Sequence, residues 1–172
     1  MQKFEAPSLP LTSIRVDWTI NARATIRREV SLDYAAALKA GAKFPPVIIF
    51  FDGETYWLAD GFHRYVAYEI AGIPDISVEI RLGTLRTAAL FAVTANRFHG
   101  VRPSRSDRRR AIVRLLEDPE WARWNDQQIA SLCGAPSDMV RDLRRERDRF
   151  IASHPDGDYP RSEPASAALP PL

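Results

Sequence analysis

The chain has few of the features that mark secreted or membrane-bound proteins. It contains a single cysteine, Cys133, in 172 residues, so it cannot form an internal disulfide. Its apolar runs are all far shorter than a membrane span, and the run Val47–Phe51 has the length of a buried strand. The N-terminal residues contain no hydrophobic signal core. These absences exclude a disulfide-stabilised scaffold and predict a cytoplasmic protein without membrane contact.

Lysine is also scarce, and the positive charge is carried by arginine. Only three of the 24 basic residues are lysine, and the arginines are concentrated from residue 102 onward. The net charge of +2 indicates nothing about nucleic acid by itself. The planar guanidinium, however, suits phosphate oxygens and guanine edges. Two interpretations are open here: solvated surface charge that reflects arginine-rich codon usage, and the electrostatic footprint of a nucleic-acid-binding protein.

The first hundred residues combine strand and helix signals. Residues 14–18 alternate like a strand, and a helix is predicted over 31–40, with Ser31 as its N-cap and Gly41 as its end. The apolar runs on both sides of Asp52-Gly53 predict a β-hairpin. The remaining predicted elements are a helix over 63–71 ended by Gly72, a strand over 76–80 and a helix over 85–98 ended by Gly100.

After residue 106 the sequence contains only helix signals. Helices are predicted over 106–116, 126–133 and 138–150. Their predicted N-caps are Ser106, Asn125 and Ser137, with Gln128 opposite Asn125 in a capping box and Gly134 as a terminator. The sequence from Ser153 has five prolines and too little apolar surface to order itself. The predicted organisation is an α+β domain over 1–100, an all-α domain over 101–150 and a disordered tail over 151–172.

The most informative motif is Asp60-Gly61-Phe62-His63-Arg64, where a strand turns at a glycine into a helix that opens with a basic pair. The first amides of a helix have no internal partners, and the helix dipole adds partial positive charge. Gly61 allows close approach of the backbone, and His63 and Arg64 add donors, so the motif predicts an anion site. In the alternative, Gly61 is a plain turn, His63 a cap and Arg64 a surface ion-pair partner.

Four motifs in this order resemble the ParB N-terminal family, whose fold is shared by sulfiredoxin and a free-serine kinase. Asn21-Ala22-Arg23 stands at the family's first box, and Gly61–Arg64, followed by Ala67, stands at its Gly-Glu-Arg-Arg box. Asn96-Arg97 matches part of the third box. A helical region with a helix-turn-helix then follows, so that the resemblance covers about residues 10–150.

The resemblance implies a ParB/sulfiredoxin-like α+β domain, with a small mixed sheet and helices, followed by an all-α helix-turn-helix bundle. It implies CTP or another nucleoside triphosphate with magnesium, and Asn96 as a metal ligand. By resemblance, the nucleotide-binding residues are Arg23, Gly61, Phe62, His63, Arg64, Asn96 and Arg97. The implied function is nucleotide-modulated DNA binding in plasmid or chromosome partition, or in transcriptional regulation on a mobile element. The implied partners are double-stranded DNA, a second copy in a homodimer and a partition ATPase.

Departures from the family pattern bear on the chemistry. Ala95 replaces the acidic residue of the third box, and His99 replaces its arginine. Phe62 stands where sulfiredoxin has its catalytic cysteine, so sulfinic-acid reduction is excluded. We therefore expect slow nucleoside triphosphate hydrolysis at most. A nucleotide-dependent phosphotransferase or a nuclease is the alternative. Its candidate catalytic bases are Glu29, Asp33 and Asp60.

Residues 125–149 have the pattern of a helix-turn-helix. Ala130 falls where the two helices must cross closely, and Gly134 falls at the tight turn. In such motifs the N-terminal part of the second helix enters the major groove. Arg141 is expected to contact a guanine, and Arg144 and Arg145 phosphates. The predicted DNA-binding residues are Ser137, Arg141, Arg144 and Arg145. The alternative is a helical subdomain that packs on the first domain or on a partner.

Overall fold

The computed structural model of the chain describes residues 7–21, 27–95 and 103–154. In that part of the chain five strands and six α-helices form, joined by 3-10 turns. In chain order they are β1 (Ser8–Pro10), β2 (Ile14–Arg15), α1 (Arg28–Lys39), β3 (Val47–Phe51), β4 (Tyr56–Asp60), α2 (Phe62–Ala71), β5 (Asp75–Leu82), α3 (Leu85–Ala95), α4 (Arg105–Glu117), α5 (Asp126–Cys133) and α6 (Ser137–Ser153).

The strands form one mixed sheet in the order β1-β5-β3-β4-β2. The predicted hairpin is confirmed, since β3 and β4 pair antiparallel, whereas β3 and β5 pair parallel with Val47 opposite Val78. Strand β3 is central, which explains why its sequence is almost continuously apolar: Ile49 is fully buried and Val47 nearly so. The predicted α+β class with a small mixed sheet is therefore confirmed.

Two helices of the first half pack on each other beside the sheet. Helix α1 lies against α2, where Ala35, Leu38 and Ala67 are buried. The rings of Tyr34 and Phe44 cover this contact at a centroid distance of 4.8 Å. This packing fixes the position of the first turn of α2 relative to the start of α1.

The hydrophobic core is continuous from the sheet into the helical half. A single cluster contains Ile49 and Leu58 of the sheet, Val93 of α3, and Ile112 and Ile129 of the second half. Helix α3 packs on β3 and β4 and also contacts α5. The domain boundary predicted at residue 100 stays a prediction, but the two sides of it share this core.

Three predicted N-caps are wrong. Helix α1 begins at Arg28, so Ser31 lies inside it and is fully buried. Ser104, not Ser106, caps α4 in a reciprocal box with Asp107. Ser137 is the first residue of α6 rather than its cap, and its Oγ donates to Gln127 Oε1 at 2.7 Å. Only the start of α4 is marked by a local signal, the box of Ser104 and Asp107, which the sequence interpretation missed.

Other local predictions fare better. The capping box of Asn125 and Gln128 is confirmed, as is the left-handed Gly134 that ends α5. The predicted strand over 14–18 is confirmed only for β2, since Asp17 accepts from Thr19 N at 2.8 Å and starts a 3-10 turn. The predicted end of α3, residues 96–100, lies outside the described residues, as does most of the predicted tail. None of the described helices combines the length and apolar character that crossing a membrane requires.

Candidate functional site

Gly61 holds the backbone at the start of α2 in a conformation that other residues rarely adopt. Its φ is +94°, and a Cβ at this position would lie 2.6 Å from Val47 Cγ1. The carbonyl of Gly61 accepts from Tyr65 N at 2.8 Å and so closes the first turn of α2. The glycine thus places the first amides of the helix, which have no intrahelical acceptor, directly at the end of β4.

Arg64 points back into the fold. Its Nη1 donates to the carbonyls of Pro45 and Pro46 at 2.6 and 2.8 Å, and its Nη2 donates to Asp60 Oδ2 at 3.1 Å. The side chain is only 17% exposed. The guanidinium therefore fastens the segment before β3 to the first turn of α2. Its predicted contact with a phosphate stays a prediction, and these three bonds compete with that role.

His63 joins the two helices of the first half. Its Nε2 accepts from the backbone N–H of Arg27 at 3.1 Å. Arg27 is the N-cap residue of α1, and its side chain makes no capping bond. The imidazole therefore caps the neighbouring helix α1 and not its own helix α2. The interpretation of His63 as a local cap, made from the sequence, did not include this long-range contact.

Of the other residues predicted to bind the nucleotide, one is buried. The remaining three lie outside the described residues. Phe62 is 6% exposed and packs on Trp18 at a ring-centroid distance of 5.8 Å. Its side chain belongs to the core. Arg23, Asn96 and Arg97, and with Asn96 the predicted metal ligand, lie outside the described ranges.

The described residues offer little for metal or redox chemistry. No group of three or more His, Cys, Asp or Glu side chains among them could hold a metal ion. Of the candidate bases, Glu29 and Asp33 are exposed on α1, and Asp60 is paired with Arg64. Burial raises the pKa of the Cys133 thiol to about 12, so this cysteine stays protonated at neutral pH.

Arg144 connects segments of the second half of the chain through hydrogen bonds. Its Nε donates to Asp126 Oδ1 at 2.9 Å, and its Nη1 and Nη2 donate to the carbonyls of Ala122 and Trp124 at 2.6 and 2.7 Å. The side chain is 23% exposed. These bonds join α6 to the start of α5 and the turn before it. The predicted phosphate contact of Arg144 stays a prediction, with its donors already engaged in the fold.

Arg141 and Arg145 occupy the exposed side of α6. Arg141 is 49% exposed, and its Nη1 donates to Asp138 Oδ1 at 2.8 Å. Its Nε lies 3.9 Å from Asp126 Oδ2. The acidic partners were not predicted, although a three-residue spacing on a helix is the usual signal for such an ion pair.

Comparisons with known proteins give relatives among bacterial regulators. No family model matches the chain. It is 32% identical over 105 residues to a possible regulatory protein of the streptomycin biosynthesis operon of Streptomyces griseus, covering 61% of this chain. It is 27% identical over 120 residues to the transcriptional regulator NovG of Streptomyces niveus, covering 70% of this chain. The matched regions span 29% and 36% of the relatives' own lengths.

The structural comparison establishes the fold. The chromosome-partitioning protein ParB of Caulobacter crescentus, in a structure complexed to the centromeric parS site, superposes with a TM-score of 0.52. The match covers 89% of this chain and 80% of that chain at 13% sequence identity. The chain therefore has the ParB-like fold, as the resemblance of its motifs predicts.

Proposed function

We propose that this protein is a DNA-binding regulator in which the N-terminal half of α6 enters the major groove of duplex DNA. The observation that carries the proposal is the division of the arginines on α6. Arg144 and Arg147 bond to carbonyls of the fold, whereas Arg141 and Arg145 project from the exposed side. In helix-turn-helix proteins the N-terminal residues of the second helix contact base edges, and exposed donors on this part of α6 suit that role.

The relatives favour regulation over partition. Both are named as regulatory proteins, and each match is closer in sequence than the structural neighbour that binds parS. Transcriptional regulation is therefore the first form of the proposal. Plasmid or chromosome partition, with a partition ATPase and a homodimer as partners, is the second.

The experiment is binding of labelled duplexes to the full chain across a salt series. We expect Arg145→Ala to weaken binding to every duplex and to lower the salt slope by about one. Lys39→Ala removes the same charge from the exposed end of α1 and is the matched control. Binding that is unchanged in Arg145→Ala, or lost equally in Lys39→Ala, would remove α6 from the interface.

A finer proposal places a nucleoside triphosphate of the CTP type at the start of α2. The turn at Gly61 supports it, because α2 begins there and the first amides of a helix, which lack intrahelical acceptors, suit a phosphate. The amides at the start of α2 suit a phosphate, but the described residues offer no carboxylate cluster for magnesium. Asn96 and the other third-box residue, Arg97, would have to complete the site. We assign no hydrolytic step to it.

Isothermal titration tests the nucleotide proposal. CTP, ATP and GTP are each titrated into the full chain, with and without magnesium and selected DNA. Heat with CTP alone among the three is the expected result. No heat with any nucleotide at millimolar concentration contradicts the proposal. Phosphate transfer to a small acceptor without DNA would instead favour the phosphotransferase, and DNA cleavage the nuclease.

A further inference from the structure

At the N-terminal end of α6, carboxylates lie beside the exposed Arg141. Asp138, 82% exposed, lies in the first turn and holds Nη1 of Arg141 at 2.8 Å. Asp126 of α5 approaches the same guanidinium from the other side, at 3.9 Å from Nε. Among the described residues no acceptor is bonded to Nη2 of Arg141. The guanidinium is therefore held at Nη1, whereas Nη2 keeps its donors.

An exposed carboxylate at this position weakens any purely electrostatic contact with DNA. It repels the phosphates that the helix must approach, and an exposed ion pair three residues apart contributes little to folding. Its favourable interaction with the helix dipole is also a small effect. The ion pair between Asp138 and Arg141 instead orients the arginine, because it restricts a long flexible side chain to one orientation before DNA binds.

We propose that Asp138 is a positioning residue for base recognition, which rests on the proposed DNA-binding function. It holds Arg141 at Nη1 so that the remaining guanidinium donors can reach the N7 and O6 acceptors of a guanine in the major groove. By repelling phosphates it also keeps Arg141 from settling on the DNA backbone. Asp138 thereby lowers affinity for all DNA and raises the preference for a site with a G·C pair opposite Arg141.

The test compares two neutralised carboxylates on the same helix. Asp138→Asn and Asp142→Asn each remove one negative charge near Arg141, but only Asp138 bonds to its guanidinium. The probes are a duplex that the wild-type chain selects from a randomised pool and a scrambled duplex of equal length. The ratio of the two dissociation constants measures discrimination, and thermal unfolding controls for stability.

We expect both variants to bind the scrambled duplex more tightly, because both lose a charge that repels phosphate. Only Asp138→Asn should lose discrimination, on the order of tenfold, which is the effect of releasing one bidentate base contact. Asp138→Glu should restore part of it. In a cycle with Arg141→Ala, the loss from Asp138→Asn should largely disappear.

The outcomes separate the inference from the function on which it rests. Equal discrimination in the two Asn variants, or additive losses in the cycle, would overturn the role of Asp138 while duplex binding stands. A wild-type chain that binds neither probe would remove the proposed function itself. Should Asp138→Asn unfold, Asp138→Ala and Asp142→Ala, which also remove the carboxylates, carry the same comparison.

Discussion

The arginines of this chain have two different environments at the scale of single residues. Arg64 and Arg144 each donate to two backbone carbonyls and one carboxylate, and both are mostly covered by protein. Arg141 and Arg145 lie on the exposed side of α6. The guanidinium suits both uses because its five donors are arranged in a rigid plane. Residue type alone therefore does not separate an arginine that binds DNA from one that stabilises the fold.

Arg144→Ala tests this division. The substitution removes three charge-assisted bonds and leaves the Ala122 and Trp124 carbonyls without that donor, so it should lower the free energy of unfolding by about 2–4 kcal/mol. Arg145→Ala, at an exposed position, should change it by no more than about 0.5 kcal/mol. Urea unfolding measures both. Full stability in Arg144→Ala together with weaker DNA binding would return Arg144 to the phosphate contacts that the sequence predicted.

Gly61 is the second residue whose role can be isolated. Gly61→Ala combines a positive φ with a contact of 2.6 Å to Val47, and should cost about 2–4 kcal/mol. Gly53, with φ +107° and no atom within 4 Å of its Cβ position, is the matched control. Gly53→Ala should cost about 1 kcal/mol, from backbone strain alone. Equal losses of stability in the two variants would contradict a packing requirement at Gly61.

At the scale of elements, the sequence correctly predicts several features whose signal is local. The box of Asn125 and Gln128, the turn at Gly134 and the hairpin around Asp52-Gly53 each lie within a few residues, and all are correctly predicted. Strand β1 was not predicted, because it exists only through pairing with β5 far along the chain. The start of α1 was missed for the same reason, since the imidazole of His63 caps it.

In the candidate site, too, the features with a local signal are predicted from the sequence and those that depend on the folded chain are not. The sequence predicts the turn at Gly61 and the helix after it, because glycine and helix periodicity are local signals. It does not predict the direction of the Arg64 side chain, which depends on where the carbonyls of Pro45 and Pro46 lie in the folded chain. Similarly, Phe62 has the spacing of a site residue, but its contact with Trp18 places it in the core.

An ion pair whose strength depends on pH connects α3 to the end of α4. Arg86 donates to both oxygens of Asp118, at 2.7 and 2.9 Å. These bonds hold the pKa of Asp118 at about 2, below its ordinary value of 3.8. Since the folded pKa is depressed, the stabilisation is present above the unfolded value and is lost as pH falls through about 2.

Asp118→Asn should therefore be less stable than the wild type at neutral pH. Asn keeps an oxygen for the backbone N–H groups of Glu120 and Trp121, so the substitution mainly removes charge. The difference in unfolding free energy should shrink as pH falls from about 4 towards 2. Glu79→Gln, in the exposed pair with Arg81, is the control and should show little difference at any pH. A gap that persists at pH 2 would contradict the assignment.

At the scale of the whole molecule, the α+β half and the helical half share one core and, among the described residues, at least two polar contacts. One of these contacts is the ion pair of Arg86 with Asp118, and another is made by Arg110 of α4. Arg110 Nε donates to the carbonyl of Asn21 at 3.0 Å, and its Nη2 to that of Trp18 at 3.4 Å. Because the core cluster runs through both halves, we expect the wild-type chain to unfold as one cooperative unit.

Arg110→Ala should weaken that cooperativity. It removes donors to two carbonyls of the segment before α1, so the first half loses these direct bonds to α4. Hydrogen exchange across a urea series, followed in peptides from β3–β5 and from α5–α6, gives a midpoint for each half. The two midpoints should coincide in the wild type and separate in Arg110→Ala.

Arg109→Ala is the control for this experiment, because Arg109 pairs with Glu146 at the surface, where both side chains are about half exposed. It removes the same charge from the same helix without touching the first half, and its midpoints should stay together. Coincident midpoints in Arg110→Ala would mean that the shared core alone couples the halves. Separate midpoints in the wild type would instead support two independent domains divided near residue 100, as the sequence predicts, and the continuous core would then contribute less to cooperativity than its burial indicates.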